Sequence, residues 1–135
     1  MKPDLQDTVW KGDAVPFSGR DLSWLRFDER VVELAEEQDR PLLDRIRFLS
    51  ISASNLDEFF MKRVALLQQR IETGLDKLTH DGLTVRQQLQ AVRDEVVRIQ
   101  ERQAACWAQG ILPRLAQEGA RVTRYEALPE RYRRR

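Results

Sequence analysis

Apolar residues recur along this chain at spacings of three and four, the period of a helix with one buried face. Trp24, Phe27, Val31 and Leu34 form the first stripe, with Leu25 and Val32 beside it and Glu33, Glu36 and Glu37 opposite. This predicts a helix from about Ser23 to Gln38, with Asp21 or Ser23 as its N-cap. A second helix opens at Pro41 and carries Leu42, Leu43, Ile46, Phe48, Leu49 and Ile51. Two overlapping capping boxes follow, Ser54 with Asp57 and Asn55 with Glu58. They predict a helix break at 52–55. A third helix then runs to about Thr73 on Phe60, Val64, Leu67 and Ile71, with Gly74 as its stop.

The segment from Leu75 to Leu83 reads as a loop, with Asp81-Gly82 as a turn signal. Thr84 with Gln87 is a further capping box. Beyond it, Val85, Leu89, Val92, Val96, Ile99, Gln103 and Cys106 form a heptad seam with one polar member, Gln103. Such a seam requires another long helix, and the third helix is the expected antiparallel partner. Gly110 and Pro113 predict a kink or a short fifth helix through Leu112 and Leu115, stopping at Gly119. Val122 to Tyr125 reads as a short strand or an extended exit, and Pro129 opens a last helical piece. The expected fold is an all-α helical bundle with a long antiparallel helical hairpin and a short extended segment near 121–125. Residues 1–19, broken by Pro3, Gly12, Pro16 and Gly19, read as a flexible leader that Trp10 and Phe17 pin to the body.

Composition narrows the class. A chain of 135 residues with 41% hydrophobic and 33% charged residues supports one domain with a real core. The 23 basic residues nearly balance 22 acidic ones, so no global attraction to nucleic acid is expected. The charge is uneven: from Arg121 onward there are six Arg and two Glu. No run of about 18 apolar residues suggests a membrane span, and the first residues lack the apolar core of a signal peptide. A single cysteine, Cys106, permits no internal disulfide. Together these point to the cytoplasm.

The chemistry for catalysis is sparse. The glycines stand alone, so no phosphate-cradling loop is present. His80, the one histidine, reads as a solvated loop residue, and Cys106 as a small hydrophobe on the seam. Neither supplies a metal cluster or a catalytic dyad. Asp57 and Glu58 are adjacent on a helix and cannot face each other, so capping explains them better. Trp24 and Trp107 lie on apolar stripes and read as core anchors. The arginines at 131–135 could contact phosphates or simply end the chain. Asn55 stands out. If Ser54 caps the helix, the Asn55 amide keeps two donors and an acceptor, the equipment for reading a nucleobase edge. On chemistry alone a capping role still outweighs it.

Two ordered motifs carry a resemblance. Residues 20–31, RDLSWLRFDERV, resemble the "ELSW-L-FN-RV" opening of the bacterial polyphosphate kinase family. PLLDRIRFL at 41–49, followed by SNLDEFF at 54–60, resembles that family's "PLLER-RFL…SNLDEFF". Lys62-Arg63-Val64-Ala65 continues it. The resemblance implies a helical N-terminal domain over 20–126, after the leader 1–19 and before a truncated start of a linking helix at 127–135. It implies that this domain forms the adenine-side wall of an ATP site, with Asn55 as the ATP-binding residue. The family's enzymes reversibly transfer the terminal phosphate of ATP to polyphosphate through a phosphohistidine. Their catalytic histidines and magnesium site belong to other domains, so no catalytic or metal residue is expected here, and the chain alone is expected to be inactive. ATP and the absent catalytic domains are then its expected partners, with no nucleic acid. The rival expectation is a non-catalytic helical interaction module that no longer binds nucleotide.

Overall fold

A computed structural model describes residues 19–74 and 82–133. The expectations for the leader, for Trp10 and Phe17, and for His80 lie outside the described residues. Three long helices make the body: α1 (Gly19–Glu36), α2 (Leu42–Glu72) and α3 (Val85–Ala105). A π-helical turn (Cys106–Ile111) leads from α3 into a short α4 (Leu112–Gln117). Two 3-10 turns, Tyr125–Ala127 and Glu130–Tyr132, follow. Among the described residues there is no strand, and 120–124 form the extended exit.

Paired side chains fix the topology. Asp21 meets Arg63, Asp28 meets Ser52, and Arg45 meets Ala35, so α2 descends as α1 rises. Ser52 meets Gln103, and Arg45 lies against Gly110, so α3 runs antiparallel to α2. The hairpin expected from the heptad seam is therefore present. The result is an up-down-up bundle in which α1 and α3 run the same way. Arg98 and Arg102 of α3 tie these two helices by pairing with Glu29 and Glu36 of α1.

The core falls into two apolar clusters. Leu25, Val32, Leu56, Phe59, Val64, Leu67, Val85, Val92, Val96 and Ile99 form the larger. Ala35, Leu49, Cys106 and Ile111, with Trp107 and Leu115 against them, form the smaller at the other end. Each fully buried Leu or Ile contributes about 1.5–3 kcal/mol relative to exposure. Four seam residues of α3, Val85, Val92, Val96 and Ile99, are buried as the heptad required.

Helix ends follow local chemistry. The Thr84 hydroxyl accepts from the Gln87 amide while the Gln87 side chain accepts from the Thr84 amide, completing the expected capping box. Gly74 and Gly119 adopt φ of 71° and 85°, the left-handed stop that a Cβ would strain. The π turn sits where Pro113 has no N–H to continue the ordinary ladder.

Four expectations need correction. The break at 52–55 does not exist: α2 passes through it as one helix of 31 residues. Of the two expected caps, Ser54 lies exposed in mid-helix and Asn55 turns its side chain, like Ser52, to Asp28 of the neighbouring helix. The α1 helix begins at Gly19, which places Asp21 in its first turn rather than at its cap. The buried face of α1 centres one position later than the expected stripe: Leu25, Asp28, Val32 and Ala35 are enclosed along with the expected Val31, while Phe27 is 50% exposed. In α2, Phe59 is buried and its neighbour Phe60 lies at the surface.

Candidate functional site

One polar layer lies where the two apolar clusters meet along α2 and α3. Asp28 of α1 is fully buried. The Ser52 hydroxyl donates to its Oδ2 at 2.9 Å, and Asn55 Nδ2 approaches its Oδ1 at 3.4 Å. Gln103 Nε2 donates to Ser52 Oγ at 2.7 Å, which extends the relay to α3. This explains the single polar member of the heptad seam. Burial pushes the Asp28 carboxyl above the ordinary carboxylate range, and the bonds from Ser52 and Asn55 pull it partly back.

Asn55 stands at the edge of this layer, half-buried, and also lines an open groove of about 490 Å³ between α1 and α2. Trp24 and Phe59 lie in that groove as a stacked pair, with ring centroids 4.5 Å apart and an interplanar angle of 14°. Arg63 pairs with Asp21 at 2.8 Å on one side, and its buried Nε has no hydrogen-bond partner. Lys62 pairs with Glu58 at the rim, which lowers the Glu58 carboxyl below its usual range. The groove therefore combines aromatic faces, a half-free amide and two cations, each paired with a carboxylate of the same lining, Asp21 or Glu58.

The structure distributes the sequence candidates unevenly. Asn55 lies in the groove but caps nothing, because no helix starts there. Asp57 and Glu58 are exposed mid-helix residues rather than first-turn acids, so their capping explanation also falls. Trp24 is only partly buried: it packs on the larger cluster and also faces the groove. Trp107 packs against the smaller cluster. Cys106 is buried, and its thiol points to the Ala35 carbonyl at 3.5 Å. In the Arg-rich end, Arg133 donates to the carbonyls of Leu128 and Glu126, and Arg131 lies over the Tyr132 ring.

Sequence reasoning missed Asp28, Ser52 and Arg63. A signal for Asp28 existed, since Leu25, Asp28 and Val32 follow the same three-and-four spacing as the buried face. An acid on that face needs a partner, and Ser52 and Asn55 provide it. Nothing local marked Ser52, whose partner lies 24 residues away.

Among the described residues, no three His, Cys, Asp or Glu side chains gather to hold a metal ion. No described helix is long and apolar enough to cross a membrane.

Comparison with known proteins agrees with the motifs. A family model described as "Polyphosphate kinase N-terminal domain" matches residues 17–123. The chain is 46% identical over 115 residues to a polyphosphate kinase of Streptomyces coelicolor, covering 85% of this chain and 15% of that protein. It is 44% identical over 116 residues to polyphosphate kinase 1 of Chlorobaculum tepidum, covering 85% of this chain and 17% of that protein. It is 45% identical over 114 residues to a polyphosphate kinase of Mycobacterium marinum, covering 84% and 15%. The chain thus spans only 15–17% of the length of these relatives. No solved structure matches it. With the motif-bearing helices α1 and α2 inside the matched span, this chain belongs to the polyphosphate kinase N-terminal domain family.

Proposed function

We propose that this chain supplies the adenine-side wall of an ATP site in a polyphosphate kinase, which reversibly transfers the terminal phosphate of ATP to polyphosphate. One observation carries this reading: Asn55 lies in the same groove as the stacked Trp24 and Phe59. The bond to Asp28 occupies one amide hydrogen of Asn55 and leaves its oxygen and second hydrogen for a base edge. The ring of Phe27, half-exposed in the same wall, offers a further apolar face. Residues 20–126 form the nucleotide-facing unit in this reading. Phosphoryl transfer depends on positioned cations and a nucleophile, which the proposal assigns to other domains. The chain by itself binds ATP weakly and turns nothing over.

A base-preference measurement tests this. Residues 20–126 are grafted onto the catalytic portion of a related kinase, and kcat/KM is compared for ATP and GTP. Asn55→Ala is expected to shrink the preference between the two bases. A preference unchanged by Asn55→Ala would contradict the assignment of the base edge to this residue.

A second reading, a helical interaction module without nucleotide binding, draws on Leu43 and Met61, which remain 75% and 73% exposed on α2. Nucleotide titration separates the two, since only the first reading moves Asn55 and Trp24 resonances.

A further inference from the structure

A second cavity, of about 700 Å³, opens at the other end of α2, where α1 ends and the π turn begins. Arg40, Arg45 and Arg114 line it against one carboxylate, Asp39. Arg45 is the unusual member. It is 5% exposed, yet among the described residues no carboxylate lies within ion-pair distance of it. Its Nε donates to the Ala35 carbonyl at 2.8 Å, which holds the end of α1. Its Nη2 lies 3.0 Å from where a Cβ on Gly110 would stand, so Gly110 is the residue that makes room for the guanidinium.

A buried guanidinium without an acid is costly unless something else compensates its charge. Two further features of the cavity point to an anion. The N-terminus of α2 forms part of the wall through Pro41 and Leu42, and Pro41 supplies no side-chain cap. The first-turn amides of α2 therefore carry the positive end of the helix dipole without a side-chain cap, with Asp44 as the one acid in that turn. Arg114 is exposed on α4 and has no ion-pair partner among the described residues. Among the three lining arginines, Arg40 is the one with an acid partner, Glu37.

We propose that this cavity is a binding site for a phosphate-class oxyanion, held by the Arg45 and Arg114 guanidinium groups and the first-turn amides of α2. Tetrahedral oxyanions match both donors: arginine forks bind them through two parallel bonds, and helix N-termini through backbone amides. Asn55 lies ten residues from Arg45 along one helix, about 15 Å. The site is thus separate from the α1–α2 groove and independent of the nucleotide reading given to it.

Heteronuclear NMR on the whole chain tests the proposal, with orthophosphate, tripolyphosphate or chloride added at constant ionic strength. Saturable shifts of the Leu42, Leu43 and Gly110 amides with a phosphate probe, and none with chloride, are the expected result. Arg114→Ala, at an exposed position, should weaken binding about five-fold or more while leaving the free protein's melting temperature in place. Asn55→Ala should leave phosphate affinity unchanged, so failure here and failure of the nucleotide reading are told apart. Tighter binding of tripolyphosphate assigns the site to a chain end, and tighter binding of orthophosphate to the free ion. The proposal is overturned if the shifts grow without saturation, if chloride reproduces them, or if Arg114→Ala binds as tightly as the parent.

Discussion

The Ser52 hydroxyl donates to the buried Asp28 carboxylate at 2.9 Å, joining α2 to α1 at the level of Asn55. That one bond redirects a segment that locally encodes a helix start. It also places an acid beside the amide assigned to the nucleotide.

The first prediction concerns pH. Burial raises the Asp28 carboxyl in the folded state above its unfolded value, so the folded chain holds the proton more tightly. Stability from this group is complete below about pH 4 and is lost as pH rises through the raised value. Asp28→Asn keeps the shape and removes the titration. Urea denaturation across this range should show the parent losing stability relative to Asp28→Asn as pH rises. Parallel curves for the two proteins would show that Asp28 titrates alike when folded and unfolded.

The seam makes the second prediction. Val96 is buried in the larger cluster, while its neighbour Val97 is 44% exposed. Val96→Asp should cost about 3–5 kcal/mol, because an unpaired charge loses its water. Val97→Asp should stay within about 0.5 kcal/mol of the parent. Denaturation midpoints of the two variants provide the check.

A third prediction isolates a cap. Thr84→Ala removes the hydroxyl that accepts from the Gln87 amide. The expected loss is about 1 kcal/mol, read from the same denaturation curves. Amide hydrogen exchange should quicken in the first turn of α3 and stay unchanged in α2.

The fourth prediction is chemical. Burial pushes the Cys106 thiol above its usual value, and nearby Glu36 adds to the shift. The thiol stays protonated at neutral pH, where the thiolate is the reactive form. A disulfide reagent should therefore label Cys106 at least about tenfold more slowly in the folded chain than in urea. Equal rates in both states would place the thiol at the surface.

Much of this fold was legible in the sequence because its signals were local. The Thr84 capping box, the α3 seam, and the stops at Gly74 and Gly119 each depend on neighbours within a few residues. The failures share the opposite cause. Ser54-Asn55-Leu56-Asp57-Glu58 has the local chemistry of a helix start, yet Asp28, 27 residues from Asn55, claims its amide. The one-position shift of the α1 stripe has the same source, since Asp28 looks polar until its partners are known. Asn55 stands out on its amide chemistry, and the motif it shares with the family turns that into the proposed nucleotide contact. The stacked pair beside it was not legible, because Trp24 and Phe59 meet only when α1 packs on α2.

The most direct test of the nucleotide assignment is kcat/KM for ATP in the grafted kinase, with and without Asn55→Ala. A lost buried hydrogen bond to the base should lower it by about 1–3 kcal/mol, roughly 5- to 150-fold, measured where both grafts are fully folded, since Asn55→Ala also removes the bond to buried Asp28 and so lowers the denaturation midpoint. A graft carrying Asn55→Ala that is as active at limiting ATP as its parent would contradict the assignment and leave Asn55 a partner of Asp28 alone.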